Sequence, residues 1–304
     1  MKKGNYVLTA LSLFALCAGV AGCNNETKKD TDNSTKGLAY TLIEGKSEYK
    51  LVGIGTANSA KEIVIASTYN GKPVTEIATN AFQHNATLAK VSIPNGIKSI
   101  DNGAFQGCTA LTEVTLPASV ATLGERVFAE CTSLTEISVA ETNEAYTSLN
   151  GNLYNKDGSV LVQYALGDTA TSYTTPDTVT TIAKSACSKA SNLTTVVMGA
   201  SVITVDDYAF MGCAKLNDLT IGNNVQKIGT SAFSSCLALT SIFIPQSVVK
   251  MSNNVFYDTD NIYGGMNLTI YCEIDRQPSG WESAWNYCFP SQLPVEWGYI
   301  AEED

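Results

Sequence analysis

A period of 23 residues constrains the fold of this chain more than any other feature. Apolar residues recur at positions 1, 4, 8, 9, 15, 18 and 20 of six ungapped segments, which are Val74–Gly96, Ile97–Ser119, Val120–Thr142, Val179–Ser201, Val202–Asn224 and Val225–Ser247. A fixed period in this range predicts a solenoid, in which each repeat buries its apolar face against its neighbours.

The second half of each repeat has the pattern of a strand with one buried face. In Leu111-Thr112-Glu113-Val114-Thr115-Leu116, apolar positions 18 and 20 alternate with polar positions 17 and 19. Stacking of such strands about 4.8 Å apart predicts one parallel sheet along the array. The stretch around Phe105 is too short for an ordinary helix and predicts a tight turn or a single 3₁₀ turn. The position-9 phenylalanines are expected to stack there into a spine.

The array is interrupted once and needs a cover at each end. Residues 143–178 are predicted to form a hairpin around Asp157-Gly158 and one partial coil between the repeat blocks 74–142 and 179–247. Residues 38–73 are predicted to form an N-terminal cap with a hairpin around Glu44-Gly45-Lys46. Residues 248–304 predict a divergent last repeat and a C-terminal cap that contains Trp281, Trp285 and Trp297.

The first 22 residues have the pattern of a secretory signal peptide, because Lys2 and Lys3 precede a short apolar stretch. The sequence Val20-Ala21-Gly22-Cys23 resembles a bacterial lipobox, and this resemblance implies cleavage before Cys23 and lipidation of its thiol. An ordinary signal peptide is the alternative. Residues 23–37 have no apolar residue after Cys23 and predict a flexible tether. The predicted product is an exported lipoprotein anchored to a membrane and exposed at the cell surface.

The repeat unit x-A-F-x-G-C-x-x-L-x-x-[IV]-x-[IL]-P resembles the BspA-like, or treponemal-type, leucine-rich repeats of bacterial surface proteins. The resemblance covers about residues 50–300, with departures at Cys187, Ala140, Gly199 and Gly222. It implies a mainly β solenoid, a right-handed leucine-rich-repeat superhelix with a parallel strand ladder, a hairpin N-cap and a tryptophan-containing C-cap. It also implies a binding role, since similar proteins are linked to host-matrix binding and co-aggregation.

The nine cysteines do not form a metal-binding or disulfide pattern. Cys17 lies in the signal peptide, and five others occupy fixed repeat positions, with Cys187 at position 9 and the rest at position 12, which are Cys108, Cys131, Cys213 and Cys236. Small side chains at one repeat position predict buried thiols. A disulfide between Cys272 and Cys288 remains open.

Composition and motifs exclude several classes of function. The net charge of -10 lacks the basic surface that nucleic-acid binding requires. His84 is the only histidine and has no nucleophile motif beside it, so a surface turn residue is expected and no enzyme is predicted. Asp258-Thr259-Asp260-Asn261 begins like a calcium loop, but Ile262 falls where a ligand is needed. No metal or cofactor is predicted.

The best candidate for a functional surface is the outward side of the strands. Positions 17 and 19 form a mixed acidic and hydroxyl strip with two apolar members, and its residues are Lys90, Ser92, Glu113, Thr115, Glu136, Ser138, Thr195, Val197, Asp218, Thr220, Ser241 and Phe243. Solenoids bind ligands along such extended surfaces. The expected partner is an extracellular protein bound on the concave face. The alternative is a glycan that contacts Phe243, Trp281 or Trp285.

Overall fold

The structure, a computed structural model, describes residues 33–259, 268–288 and 291–300. These residues form a β-solenoid of about ten turns, and no helix occurs among them. The solenoid class predicted from the 23-residue period is therefore confirmed. The residues of the predicted signal peptide, Cys23, most of the predicted tether, and Asp260, Asn261 and Ile262 lie outside the described residues.

The strands predicted at positions 17 to 20 are present and stack in parallel, and we call them the strip ladder. Position 18 is buried in each repeat, and in-register pairing sets Val196 opposite Leu219. The ladder has three segments. They are β3 (Glu62–Val64), β6 (Lys90–Ser92), β8 (Glu113–Leu116) and β10 (Glu136–Val139); β14 (Ser172–Thr174), β16 (Thr195–Val197) and β18 (Asp218–Thr220); and β20 (Ser241–Ile244), β22 (Thr269–Cys272) and β25 (Val295–Trp297).

A second parallel ladder runs along the solenoid, mainly at positions 3 and 4, so the expectation of one sheet was wrong. Most of its strands have only two residues, too few to show an alternating pattern in the sequence. They are β5 (Lys72–Ile77), β7 (Ser99–Ile100), β9 (Thr122–Leu123), β13 (Val160–Gln163), β15 (Thr181–Ile182), β17 (Thr204–Val205), β19 (Lys227–Ile228) and β21 (Lys250–Met251). This ladder has two segments, which separate between β9 and β13.

The stretch around position 9 is a run of tight turns, which settles the choice between a tight turn and a 3₁₀ turn. Along this stretch, successive backbone amides donate in turn to a carbonyl of the same coil and to a carbonyl of the next coil. The Cys108 amide donates to Phe105 O at 3.1 Å, and the Phe105 amide donates to Val127 O at 3.0 Å. Positions 7 and 11 adopt left-handed backbone, as at Arg126 (φ 58°) and Glu130 (φ 63°). The turns therefore satisfy their own backbone while joining neighbouring coils.

The position-9 phenylalanines form the predicted spine in both halves of the solenoid. Phe82 and Phe105 stack at 5.1 Å between ring centroids, and Phe105 and Phe128 stack at 5.6 Å. In the second half, the stack runs through Phe210, Phe233 and Phe256 at 5.7 and 5.8 Å. The spine is interrupted between Phe128 and Phe210, where Cys187 occupies position 9.

Residues 143–178 separate two hydrophobic cores. β11 (Tyr146–Leu149) and β12 (Asn152–Asn155) form an antiparallel hairpin, and β12 pairs antiparallel with β13 through the Asp157-Gly158 turn. Successive side chains of a strand point to opposite faces. Leu153 accordingly joins the core of the first half, and Tyr154 joins the core of the second half. The inserted strands therefore serve as an internal wall for both halves.

Different devices close the two ends. At the N-terminal end, β1 (Ala39–Leu42) pairs antiparallel with β2 (Tyr49–Gly53), which joins β5 in parallel, and β4 (Thr68–Tyr69) pairs with β5. At the C-terminal end, Trp285 continues the spine at 6.3 Å from Phe256. The indole of Trp281 donates to Val248 O at 2.9 Å. β23 (Tyr287–Cys288) and β24 (Ser291–Gln292) complete this cap.

The seven described cysteines are all buried thiols, which confirms the prediction for the five at repeat positions and shows no disulfide between Cys272 and Cys288. The position-12 thiols also make a regular contact that the sequence did not indicate. Cys108 Sγ donates to Phe82 O at 3.2 Å, and Cys131 Sγ donates to Phe105 O at 3.1 Å. Each such cysteine therefore fills the core and satisfies a carbonyl of the preceding coil.

Truncation in the spine is expected to destabilise the whole solenoid. Phe105→Ala should lower the free energy of unfolding by about 3–5 kcal/mol, because it removes a fully buried ring between two stacked neighbours. Denaturant unfolding followed by circular dichroism measures the change. The matched control is Phe243→Ala, whose half-buried side chain should cost less. Equal losses at both positions would contradict the assigned role of the spine.

The buried thiols are expected to be inert in the native protein. Burial raises the pKa of Cys108 and of Cys213 to about 12, so neither forms thiolate in neutral solution. At about pH 8, a disulfide reagent should modify the described cysteines only after unfolding in guanidinium, with sites identified by mass spectrometry. Rapid native labelling of Cys108 or Cys236 would show that the coils open locally.

Candidate ligand-binding surface

The strip residues line the outer face of the strip ladder because positions 18 and 20 point into the core. Most are exposed, and four are half-buried, namely Ser138, Thr195, Val197 and Phe243. The three segments of the ladder divide them, so the twelve predicted residues do not form one continuous surface. Lys90 to Ser138 lie on the first segment, Thr195 to Thr220 on the second, and Ser241 and Phe243 on the third.

The first segment is an exposed polar surface in which charges already have partners. Lys90 Nζ lies 2.6 Å from Glu113 Oε1, and the Ser138 hydroxyl donates to Glu136 Oε1 at 2.7 Å. The hydrogen bond to Glu113 and its negative charge raise the pKa of Lys90. Both members of the ion pair are more than half exposed, so solvent screens the attraction and the pair contributes little to folding.

The strip ladder opens between β18 and β20. Strand β18 pairs with β16, but no ladder pairing joins β18 to β20 among the described residues, while β19 and β21 remain paired behind them. Gly222 accounts for part of this geometry, because a Cβ there would lie 2.6 Å from Gly199 O. The missing side chain lets the end of β18 approach the preceding coil closely, at a position where three other repeats carry proline.

The opening forms a groove of about 530 Å³ on the strip face, which we call the β18–β20 groove. Apolar and polar side chains line it together, and they are Leu219, Thr220, Ile221, Asn223, Phe243, Pro245, Gln246, Glu273 and Ile300. The carboxylate of Glu273 accepts from the Gln246 amide nitrogen at 2.8 Å and from its side-chain amide at 3.1 Å. One end of the groove is therefore fixed, acidic and hydrogen-bonded.

An aromatic cluster borders this groove. Phe243 and Tyr271 are in register on β20 and β22, and Tyr299 packs against them at centroid distances of 6.2 and 4.7 Å. Ile300 is 84% exposed beside Phe243 in the groove lining. The half-buried Phe243 and the exposed Ile300 together offer an apolar contact point to the surface of a partner protein.

Sequence reasoning found Phe243 and Thr220 in this groove but missed Glu273, Gln246 and Ile300. Glu273 and Ile300 lie in the divergent last turns, where the 23-residue period no longer assigns positions. The absent proline at Gly222 was a weak signal of a local irregularity, because Ala140 and Gly199 also replace proline and β16, before Gly199, stays paired with β18. Its consequence depends on how closely two coils approach, which the repeat pattern does not reveal.

The other candidate residues lie away from this surface. His84 is an exposed turn residue with φ 59°, as expected, and its imidazole covers Gly107 of the next repeat. Trp281 and Trp285 are 4% and 1% exposed, so neither can present a ring face to a sugar. No group of three metal-ligating residues occurs in the described part of the chain, which omits the second half of the calcium-like loop.

A family model and several solved structures resemble this chain. A family model described as BspA type leucine rich repeat region matches in six copies over residues 58–156 and 163–273. No curated protein matches the chain. Among residues 33–259, 268–288 and 291–300, no helix has the length and apolar character that crossing a membrane requires.

Solved structures include similar bacterial proteins. A leucine-rich cell surface protein from Faecalibacterium prausnitzii is 25% identical with a TM-score of 0.63, over 73% of this chain and 56% of its own. The pneumococcal vaccine antigen PcpA is 21% identical with a TM-score of 0.56, over 78% and 68% of the two chains. This chain thus spans just over half of the first of these proteins.

The second similarity supports the fold alone, whereas the family model covers more than half of the sequence. Its matched residues include the phenylalanine spine and the thiols at position 12, together with most of the strip ladder. The chain therefore belongs to the BspA-type leucine-rich repeat family.

Proposed function

We propose that this protein is a membrane-anchored lipoprotein of the bacterial cell surface that binds a protein ligand through the strip. Cys23 would carry the lipid, and residues 24–37 would hold the solenoid away from the membrane. The similar solved protein from Faecalibacterium prausnitzii is a cell surface protein, which supports this location. A binding role agrees with the family, whose repeats build extended surfaces for partners.

The observation that carries the proposal is the β18–β20 groove. It combines a half-buried phenylalanine, an exposed isoleucine and a carboxylate that hydrogen bonds hold in place. Protein interfaces have this composition, with an apolar anchor at the centre and polar groups around it. The neighbouring acidic and hydroxyl residues of the strip extend the surface along the array and add hydrogen-bonding groups.

Substitutions in the groove are expected to weaken ligand binding without unfolding the protein. Cells that display the chain should attach to an immobilised matrix protein, to mucin or to neighbouring bacteria. Thr220→Arg and Phe243→Ala should weaken this attachment about tenfold or more, because they block or remove the apolar anchor. The matched control is Ala214→Arg, which adds the same charge at an exposed turn residue.

The binding proposal fails if attachment to all three surfaces equals that of cells without the protein. It also fails if Ala214→Arg weakens attachment as much as Thr220→Arg does, since the groove would then have no special part. Surface display of each variant, measured with an antibody, separates lost binding from lost protein.

Lipid attachment has an independent test. Cys23→Ala should move the protein from the membrane fraction to the soluble or secreted fraction, because the acylated thiol is the proposed anchor. Cys17→Ala is the matched control and should leave the protein with the membrane. Retention of the Cys23→Ala protein in washed membranes would contradict the proposed anchor.

A further inference from the structure

We propose a second binding site, a pocket for one sugar residue that the insertion at 143–178 creates on the strip face. This site lies on the second segment of the strip ladder, whereas the β18–β20 groove lies between the second and third segments. The proposal does not rest on the protein-binding function.

The pocket exists because the insertion leaves an open ladder edge. Among the described residues, strand β14 pairs with β16 alone, and residues of the hairpin lie beside its unpaired edge, with the Tyr154 and Tyr173 hydroxyls in contact. The space between β14 and the hairpin is a pocket of about 240 Å³, and its lining includes Tyr173 of β14 and Asn150 of the hairpin turn. This volume suits a single hexose, since pockets for larger ligands occupy about 300 Å³ or more.

Buried polar side chains form the inner wall of the pocket. Asn152, Tyr154, Tyr164 and Tyr173 all line it and are each less than 10% exposed. Asn152 Oδ1 accepts from the Ala165 amide at 2.8 Å, which fixes the orientation of its side chain. Burial of polar groups is costly unless they are hydrogen-bonded, and the partners within the protein hold these side chains in fixed orientations. The wall is therefore preorganised to offer hydrogen bonds.

The tyrosine hydroxyls can donate to a ligand. Tyr154 and Tyr173 hydroxyl oxygens lie 3.2 Å apart and share one hydrogen bond. Two hydroxyls carry two hydrogens, so one hydrogen remains for a ligand acceptor. Burial raises the pKa of Tyr154 and of Tyr173, and both hydroxyls stay protonated in neutral solution.

Acceptors stand at the rim. Asp168 Oδ1 accepts from the Ala170 amide at 3.0 Å, and its Oδ2 lies 3.4 Å from the Tyr164 hydroxyl. The amide group of exposed Asn150 supplies both an acceptor and two donors. A compact set of hydroxyl, amide and carboxylate groups matches the adjacent hydroxyls of a sugar ring.

The packing of the tyrosine rings favours a sugar over an organic cation. A cation would need exposed ring faces. Here the rings of Tyr154, Tyr164 and Tyr173 belong to the core of the second half, and Tyr164 and Tyr173 pack edge to face at 5.1 Å. A peptide strand added along β14 is the competing ligand, but it would not use the hydroxyls at the back of the pocket.

Saturation-transfer NMR on the full chain tests the proposal. The probes are glucose, galactose, mannose, N-acetylglucosamine, N-acetylgalactosamine and fucose, with a capped Thr-Val-Thr-Val peptide as the strand-like competitor. At least one sugar should receive saturation. Its Kd should rise about fivefold to tenfold in Tyr173→Phe, which keeps the ring and loses one hydrogen-bonding hydroxyl. Tyr69→Phe, which lies at the N-terminal cap and outside both candidate binding sites, is the matched control and should bind like the parent protein.

Asn150→Ala guards against an indirect effect, because this exposed turn residue is not part of the core and its loss should also weaken sugar binding. The proposal is overturned if none of the six sugars receives saturation. It is also overturned by an unchanged Kd in both pocket variants, or by binding of the peptide alone. Attachment of cells through the β18–β20 groove is measured separately with Thr220→Arg, so failure of one site leaves the other distinguishable.

Discussion

Hydrogen bonding between consecutive coils is the constraint on which the rest of this structure depends. In each turn, alternate amides bond to the next coil, as from Phe82 N to Ala104 O and from Phe210 N to Ala232 O, both at 2.8 Å. Such bonds are satisfied only when equivalent residues face each other, which explains why the repeats keep one length. The phenylalanine spine and the thiols that cap carbonyls follow from this register. A single coil could bury neither the phenylalanines nor the thiols, so each coil is stabilised by its contacts with the neighbouring coils.

Both candidate sites lie where this register is relaxed. At the β18–β20 groove, the strip ladder separates while the second ladder and the turns remain joined. At the insertion, both ladders are interrupted, and two ion pairs connect the flanking repeats, from Lys184 to Glu125 at 2.8 Å and from Lys189 to Glu130 at 2.6 Å. A regular solenoid face offers shallow contacts. Its interruptions create the pockets and partly covered side chains that binding requires.

The repeat pattern predicted the strip ladder, the spine and the buried thiols because each depends on neighbours at a fixed sequence distance. It missed the second ladder, since a two-residue strand such as β7 leaves only one apolar position as a signal. It did not decide whether the tryptophans pack in the C-terminal cap or contact a glycan. Burial decided this, because Trp285 extends the spine from Phe256 and Trp281 bonds to Val248 O. The strip residues were located correctly along the strands, but their division into three segments was not visible.

The sequence by itself determined the fold family, the period, the inward and outward sides of each strip strand and the candidate lipidation of Cys23. Those features are local or repeat at one spacing, so they can be read without coordinates. Only the tertiary structure decided which outward residues meet, because that depends on how far each coil stands from the next. The approach of Gly222 to Gly199 and the two-faced insertion strand at Leu153 and Tyr154 are such features. They involve residues that depart from the repeat, for which periodicity makes no prediction.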